Sequence, residues 1–191
     1  MDYQLIAPIM GRLWSPLAAV TSCWQGKANA QIAVAIVAAS IVPDRPRVLV
    51  QIYKENYSHH LILHSRAFAL NFLDREQLAL IRDFGLVSGL DRDKLAGVDY
   101  ELGVTGSPVL RDSAGYLDCR VVNAMDGGDM TCFLADVLEG LTHPAREPLT
   151  WREARRLIPA EWNEEWNIKI SREIDRSRTR MANIDYTAWM P

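Results

Sequence analysis

The stretch AGYLDCRVVNAMDGGDMTCFLADVLEG, residues 114–140, reads as two long strands around a tight turn. Residues 114–125 and 130–140 are rich in the valine, aromatic and threonine side chains that favour strands. The turn between them, Asp126 to Asp129, contains a glycine pair, which favours a hairpin. Because hairpins join antiparallel neighbours, this stretch predicts an antiparallel sheet.

Shorter segments upstream have a similar strand-like composition. We expect strands at residues 17–24, 28–37, 47–53 and 68–73, the first two joined by a turn at residues 25–27. Many antiparallel strands favour a closed or nearly closed barrel, because closure removes exposed sheet edges. The predicted fold class is therefore mainly β.

Short helices are predicted between the strands. Ser58 is placed to cap a helix over residues 59–65, and Asp74 with Gln77 forms a capping-box pattern for a helix that ends near Gly85. These two short helices are inserted early in a body made mostly of antiparallel strands.

A helical extension follows the strands. Thr150 and Glu153 form a second capping-box pattern, and Pro159 suits the first position of the next helix. Apolar residues recur every four positions on that helix, at Trp162, Trp166, Ile170 and Ile174. We predict a barrel domain over residues 1–143 and an extension over residues 144–191 that docks on the barrel or on a second subunit.

Charge and cysteine content limit the functional classes. The formal charge of −3 argues against sequence-independent binding of nucleic acid, which needs a basic surface. Cys23, Cys119 and Cys132 have no metal-ligand spacing and cannot all pair within one chain. We therefore predict free thiols, no metal site and a cytosolic location.

Residues 27–46, KANAQIAVAIVAASIVPDRP, are mostly small and apolar. The apolar run at residues 32–42 is too short to cross a bilayer, which needs about 20 residues. The N-terminus lacks a basic start followed by an apolar run, so no secretory signal is visible. Composition alone leaves two interpretations open, a core strand and one wall of a ligand pocket.

The order of several short motifs resembles the flavin reductase-like family of FMN-binding split barrels. The matching motifs are Val20-Thr21-Ser22, Gly26, Asn29-Ala30, Ala39-Ser40-Ile41-Val42, Asp44-Arg45-Pro46, Asn56-Tyr57-Ser58, Ile62, Phe68-Ala69-Leu70-Asn71, Asp93-Lys94-Leu95, Gly106-Ser107-Pro108-Val109-Leu110, Leu117-Asp118-Cys119-Arg120 and Gly128-Asp129-Met130. The resemblance spans residues 17–141 and implies a Greek-key split β-barrel that binds FMN.

The resemblance also implies a set of cofactor-binding residues. The second hairpin strand and the loop after it would form a wall for the flavin ring, at Asn29, Ala30, Gln31, Ala39, Ser40 and Ile41. The turn before the first inserted helix would hold the flavin phosphate, at Tyr57, Ser58 and His59. Lys94 matches the family's lysine near the ring and phosphate, where a cation would stabilise the anionic reduced flavin.

Met130 departs from the family pattern, which has histidine after Gly-Asp. That histidine lies by the flavin and helps with nicotinamide binding or proton supply, whereas methionine can pack against a ring but cannot donate a proton. Some members also carry an aromatic residue near Ala35. Trp162 and Trp166 could supply a replacement aromatic lid, or could simply dock the extension.

The function implied by the resemblance is an NAD(P)H-dependent flavin reductase. Such a protein passes reducing equivalents through FMN, with FAD also possible, to an acceptor or partner oxygenase. The alternative is a flavin-binding or flavoredoxin-like electron carrier without efficient NAD(P)H turnover, which Met130 favours. A homodimer is expected in either case, because family members build the flavin site beside the subunit contact.

Overall fold

The computed structural model describes residues 3–13 and 16–185. The strands in these residues are β1 Ala18–Trp24, β2 Lys27–Ala33, β3 Ile36–Ala38, β4 Arg47–Tyr53, β5 Ala67–Phe72, β6 Tyr100–Leu102, β7 Pro108–Leu110, β8 Gly115–Asp126 and β9 Met130–Thr142. The α-helices are α1 Ala7–Met10, α2 Tyr57–Ser65, α3 Leu78–Gly85, α4 Trp151–Leu157 and α5 Ala160–Met181.

Seven strands form one antiparallel sheet in the order β2-β1-β5-β8-β9-β4-β3. Strands β2 and β3 follow each other in the chain but lie at opposite edges of this order. The Gln51 N–H donates to the Ala35 carbonyl at 3.0 Å, which extends the β3–β4 ladder to within two residues of the end of β2. The sheet therefore curls into a split barrel, which confirms the predicted fold class.

The sheet has an apolar core on each face. Its inner face packs Val20, Val50, Phe68 and Phe133 into one cluster. A second cluster fills the space between the outer face and the helices, with Ala30, Ile81, Phe84, Ala154 and Ile158 among its buried members.

The helical extension packs on this outer face. Trp151, Trp162 and Trp166 lie against the second cluster. A Cβ added to Gly85 at the end of α3 would lie 2.3 Å from the Trp166 ring, so only glycine leaves room for that ring. The tryptophans thus dock the extension on the barrel of the same chain.

The strand expected over residues 28–37 is divided. Strand β2 ends at Ala33, and β3 begins at Ile36 on the other edge of the sheet. Barrel closure explains the break, since Val34 and Ala35 must carry the chain from one edge to the other.

Two structural features are absent from residues 3–13 and 16–185. No helix in these ranges is both long enough and apolar enough to cross a membrane. No cluster of three or more histidine, cysteine, aspartate or glutamate side chains in these ranges could hold a metal ion.

Candidate functional site

The start of α2 brings Ser58, which was expected at the phosphate, into contact with Asn29, which was expected at the flavin ring. Asn56 occupies the N-cap with extended backbone and makes no side-chain cap. Ser58 is thus the second residue of α2 and not its cap, which corrects the sequence-based prediction. Its hydroxyl is fully buried and accepts a hydrogen bond from Asn29 Nδ2 at 2.8 Å. The hydroxyl proton remains available to an acceptor.

His59 links α2 to β9. Its Nε2 lies 2.8 Å from Thr131 Oγ1, and its ring centroid lies 5.6 Å from that of Phe133. Burial, followed by the charges of Lys54 and Arg180, lowers the pKa of His59 to about 4. The imidazole is therefore neutral at pH 7, and it becomes a cation only in acid or beside an anion.

Lys94 lies on the outer side of β2. Its Nζ donates to the carbonyls of Phe84 at 2.7 Å and Ala30 at 2.9 Å, and the residue is 7% exposed. Burial, followed by the charges of Lys169 and Arg92, lowers its pKa to about 8. Because an ammonium group has three donors, one N–H remains for a ligand.

The expected β2 residues divide between the two faces of the sheet. Ala30 packs in the outer cluster, whereas Gln31 lies opposite Val20 of the inner cluster and is therefore on the inner face. Asn29 shares the inner face by strand alternation and reaches Ser58. The Gln31 Oε1 atom is buried without a hydrogen-bond partner among the described residues.

Met130 lies on the outer face of the sheet, as Lys94 does, whereas Ser58 lies at the inner face. It is paired with Tyr53 across the β4–β9 ladder and is 9% exposed. Its neighbour Thr131 bonds His59 on the inner face, so alternation places Met130 and Tyr53 on the outer face. The expected residues therefore divide into two groups. The inner group comprises Asn29, Gln31, Ser58 and His59. The outer group comprises Ala30, Lys94 and Met130.

Ala39, Ser40 and Ile41 lie away from Met130. The Ala39 N–H donates to the carbonyl of Arg47, the first residue of β4, whereas Tyr53 is its last. At a strand rise of about 3.3 Å per residue, the loop lies roughly 20 Å from Met130. Ile41 is 99% exposed, so within one chain this loop forms no wall beside Met130.

Tyr57 lies at the start of α2 beside a surface aromatic cluster. Its ring is stacked on His60, with centroids 6.3 Å apart, and His60 in turn contacts Trp24 and His64.

Helix α5 crosses the outer group. Arg180 forms a salt bridge with Glu55, the Met181 side chain lies against Gly128, and the Asp185 N–H donates to Asp126 Oδ2 at 3.2 Å. These contacts hold the end of α5 over the tip of the β8–β9 hairpin. The helix is thus an additional component of the candidate site, for which the sequence analysis had offered only Trp162 and Trp166, as an aromatic lid or a docking stripe.

Lys169 and Glu173 on the inward side of α5 were not predicted as site residues. The sequence interpretation followed a spacing of four, and each such step rotates about 40° around a helix with 3.6 residues per turn. By Ile174, which is 49% exposed, the predicted stripe has left the docked face. A mixed spacing of three and four from Trp162 would have found Trp166, Lys169 and Glu173.

A protein-family comparison assigns the chain. The family model described as "Flavin reductase like domain" matches residues 10–157. The chain belongs to the flavin reductase-like family.

Individual relatives agree with this assignment. The chain is 34% identical over 125 residues to the high molecular weight rubredoxin of Moorella thermoacetica; the match covers 64% of this chain and 54% of the relative, about half its length. It is 26% identical over 174 residues to the reductase subunit HsaB of a flavin-dependent monooxygenase from Mycobacterium tuberculosis, covering 86% of this chain and 90% of the relative.

A solved structure shows the same fold. The NADH:FAD oxidoreductase SgcE6 of Streptomyces globisporus superimposes with a TM-score of 0.69 at 25% identity, over 78% of this chain and 88% of that one.

Proposed function

We propose that this protein is a flavin reductase that takes a hydride from NAD(P)H and passes it on as reduced flavin. The observation that carries the proposal is the family match over residues 10–157, together with similarity to a monooxygenase reductase subunit over 86% of this chain. The bound flavin supplies the redox chemistry by accepting a hydride from the nicotinamide and a proton. The protein supplies binding and electrostatics.

The inner group supports a phosphate site. The positive end of the α2 dipole attracts an anion, and Ser58 has a hydroxyl proton to donate; the His59 N–H already donates to the Asn56 carbonyl at 2.9 Å. A phosphate beside His59 would favour its protonated form and add a charge to the site. These features support a flavin that carries a phosphate, for which we propose FMN; the name of SgcE6 specifies FAD, which also carries phosphate.

The experiment that tests this function is steady-state NADH and NADPH oxidation with FMN, FAD or riboflavin as acceptor. We expect rapid oxidation with FMN and a much higher KM for riboflavin, which lacks the phosphate. No oxidation with any flavin would overturn the reductase. Equal KM values for FMN and riboflavin would refute the phosphate site alone.

A flavin-binding or electron-carrier protein is the second candidate function, and Met130 favours it. Methionine cannot supply the proton that the family's histidine can supply. A carrier would retain FMN through gel filtration and would oxidise NADH slowly even when flavin is saturating. A dissociable flavin with fast turnover would decide for the reductase.

A homodimer and an oxygenase partner complete the proposal. Exposed apolar side chains on β3, the loop after it and β9 suit a subunit contact: Val37, Ile41, Val42, Leu138 and Leu141. Sedimentation should give twice the chain mass, and Ile41→Asp should shift the mass towards that of the monomer.

An oxygenase is the proposed partner because HsaB, to which this chain is similar, is a reductase subunit of a monooxygenase. The cytosolic location stays a prediction.

A further inference from the structure

Two charged side chains on α5 lie against the barrel. The side chains of Lys169 and Glu173 are 31% and 15% exposed, and Lys169 Nζ pairs with Glu173 Oε1. The second carboxylate oxygen, Glu173 Oε2, is buried with no hydrogen-bond partner among the described residues. A buried polar atom without a partner is costly and often marks a functional position.

The contacts of α5 fix where this pair lies. Trp166 fills the space above Gly85, and Arg180 pairs with Glu55. The helix between these anchors is about 21 Å long at 1.5 Å per residue. Lys169 follows Trp166 by three residues and Glu173 follows Lys169 by four, so both share the inward side of Trp166 and lie between the two anchors.

The outer group of the candidate site lies between the barrel and the side of α5 that carries this pair. The charge of Lys169 helps to lower the pKa of Lys94 to about 8. Burial, then the charges of Asp129 and Glu173, raises the pKa of Tyr53 to about 12. Tyr53 is paired with Met130 in the ladder. The inward side of α5 between its Trp166 and Arg180 anchors, which carries Lys169 and Glu173, therefore faces the outer group.

A carboxylate next to an ammonium group is complementary to an N–H next to a carbonyl. Both the pyrimidine edge of a flavin and the carboxamide of nicotinamide present that pattern. We propose that Lys169 and Glu173 bind this amide edge, with Glu173 Oε2 accepting from its N–H and Lys169 donating to its carbonyl. This inference rests on the proposed function, and it assigns to α5 polar contacts that Met130 cannot make.

An intrahelical ion pair alone does not account for these features. Such a pair stabilises a helix by about 0.3–0.5 kcal/mol, and lysine before glutamate is the less favourable order. It also leaves Glu173 Oε2 without a partner. A ligand N–H would supply the partner that Glu173 Oε2 lacks.

The test uses the full-length variants Glu173→Ala, Glu173→Gln and Lys169→Ala. Glu164→Gln and Arg176→Ala, at exposed positions of the same helix, are the matched controls. FMN affinity is measured by flavin fluorescence, the KM for NADH by steady-state oxidation, and the helical content by circular dichroism. Loss of a charge-assisted hydrogen bond predicts about a tenfold or larger effect for Glu173→Ala. A smaller effect is expected for Glu173→Gln, which keeps an acceptor.

The two sources of the amide edge give different results. A raised Kd for FMN assigns the contact to the flavin, whereas a raised KM for NADH with unchanged FMN affinity assigns it to the nicotinamide. Either result, with both controls at wild-type values, supports the proposal. If the wild type binds FMN and oxidises NADH, but Glu173→Ala and Lys169→Ala have the wild-type Kd for FMN and KM for NADH, this proposal is refuted and the proposed function stands. A wild type that binds no flavin overturns the proposed function as well.

Discussion

Acid should destabilise the flavin-free protein through His59. The pKa of this histidine is 6.5 in the unfolded chain and about 4 in the fold, so the unfolded state binds more protons between these values. The stabilisation is fully present above pH 6.5 and is lost as the pH falls towards 4. Through His59, the free energy of unfolding should be lower by about 2 kcal/mol at pH 5 than at pH 8, and lower by about 3 kcal/mol at pH 4 than at pH 8.

The assay is urea unfolding followed by tryptophan fluorescence at pH 8, 6.5 and 5. The comparison variant is His59→Gln, which does not titrate and keeps a polar group near Thr131 Oγ1. Between pH 8 and pH 5 the wild type should lose about 2 kcal/mol more than the variant in free energy of unfolding. Identical losses in the two proteins would refute a buried, neutral His59.

The same titration also tests the phosphate position. A phosphate beside His59 favours the imidazolium, so bound FMN should raise the pKa of His59 and reduce the acid sensitivity of the wild type. Riboflavin, which has no phosphate, should leave that sensitivity unchanged. Equal effects of FMN and riboflavin would place the phosphate elsewhere.

Other substitutions test separate parts of the site. Ser58→Asp places a carboxylate where the phosphate is expected and should abolish FMN binding, with riboflavin binding as the control for folding; unchanged FMN affinity would refute this phosphate site. Met130→His should raise kcat/KM for NADH if the missing histidine limits turnover, and no gain would show that it does not. Gly85→Ala places a Cβ 2.3 Å from the Trp166 ring and should lower the free energy of unfolding by about 1–3 kcal/mol. Adding Trp166→Leu should recover part of that loss, and no recovery would place the strain elsewhere.

Local sequence signals predicted the elements that depend only on near neighbours. The capping boxes at Asp74 and Thr150 are both present, because each needs only a residue three positions on. The long hairpin of β8 and β9 is likewise set by its own composition and by its glycine turn.

Features that depend on contacts between residues far apart in the sequence were harder to predict from the sequence. Ser58 looked like a helix cap, but its partner is Asn29, which lies far upstream and is brought close only by the barrel. The break after Ala33 follows from closure of the sheet, which no local pattern encodes. Glu173 is polar on a docked helix face, so a search for apolar periodicity passed over it.

The most direct test of the central claim is an anaerobic spectral titration. The purified protein is mixed with FMN, and NADH is then added while the flavin absorbance is followed. The account predicts that FMN binds to the protein and that its absorbance bleaches at a rate well above that of free FMN with NADH. Bound FMN that stays oxidised would contradict the reductase and leave the carrier, and no binding of FMN would contradict the flavin site itself.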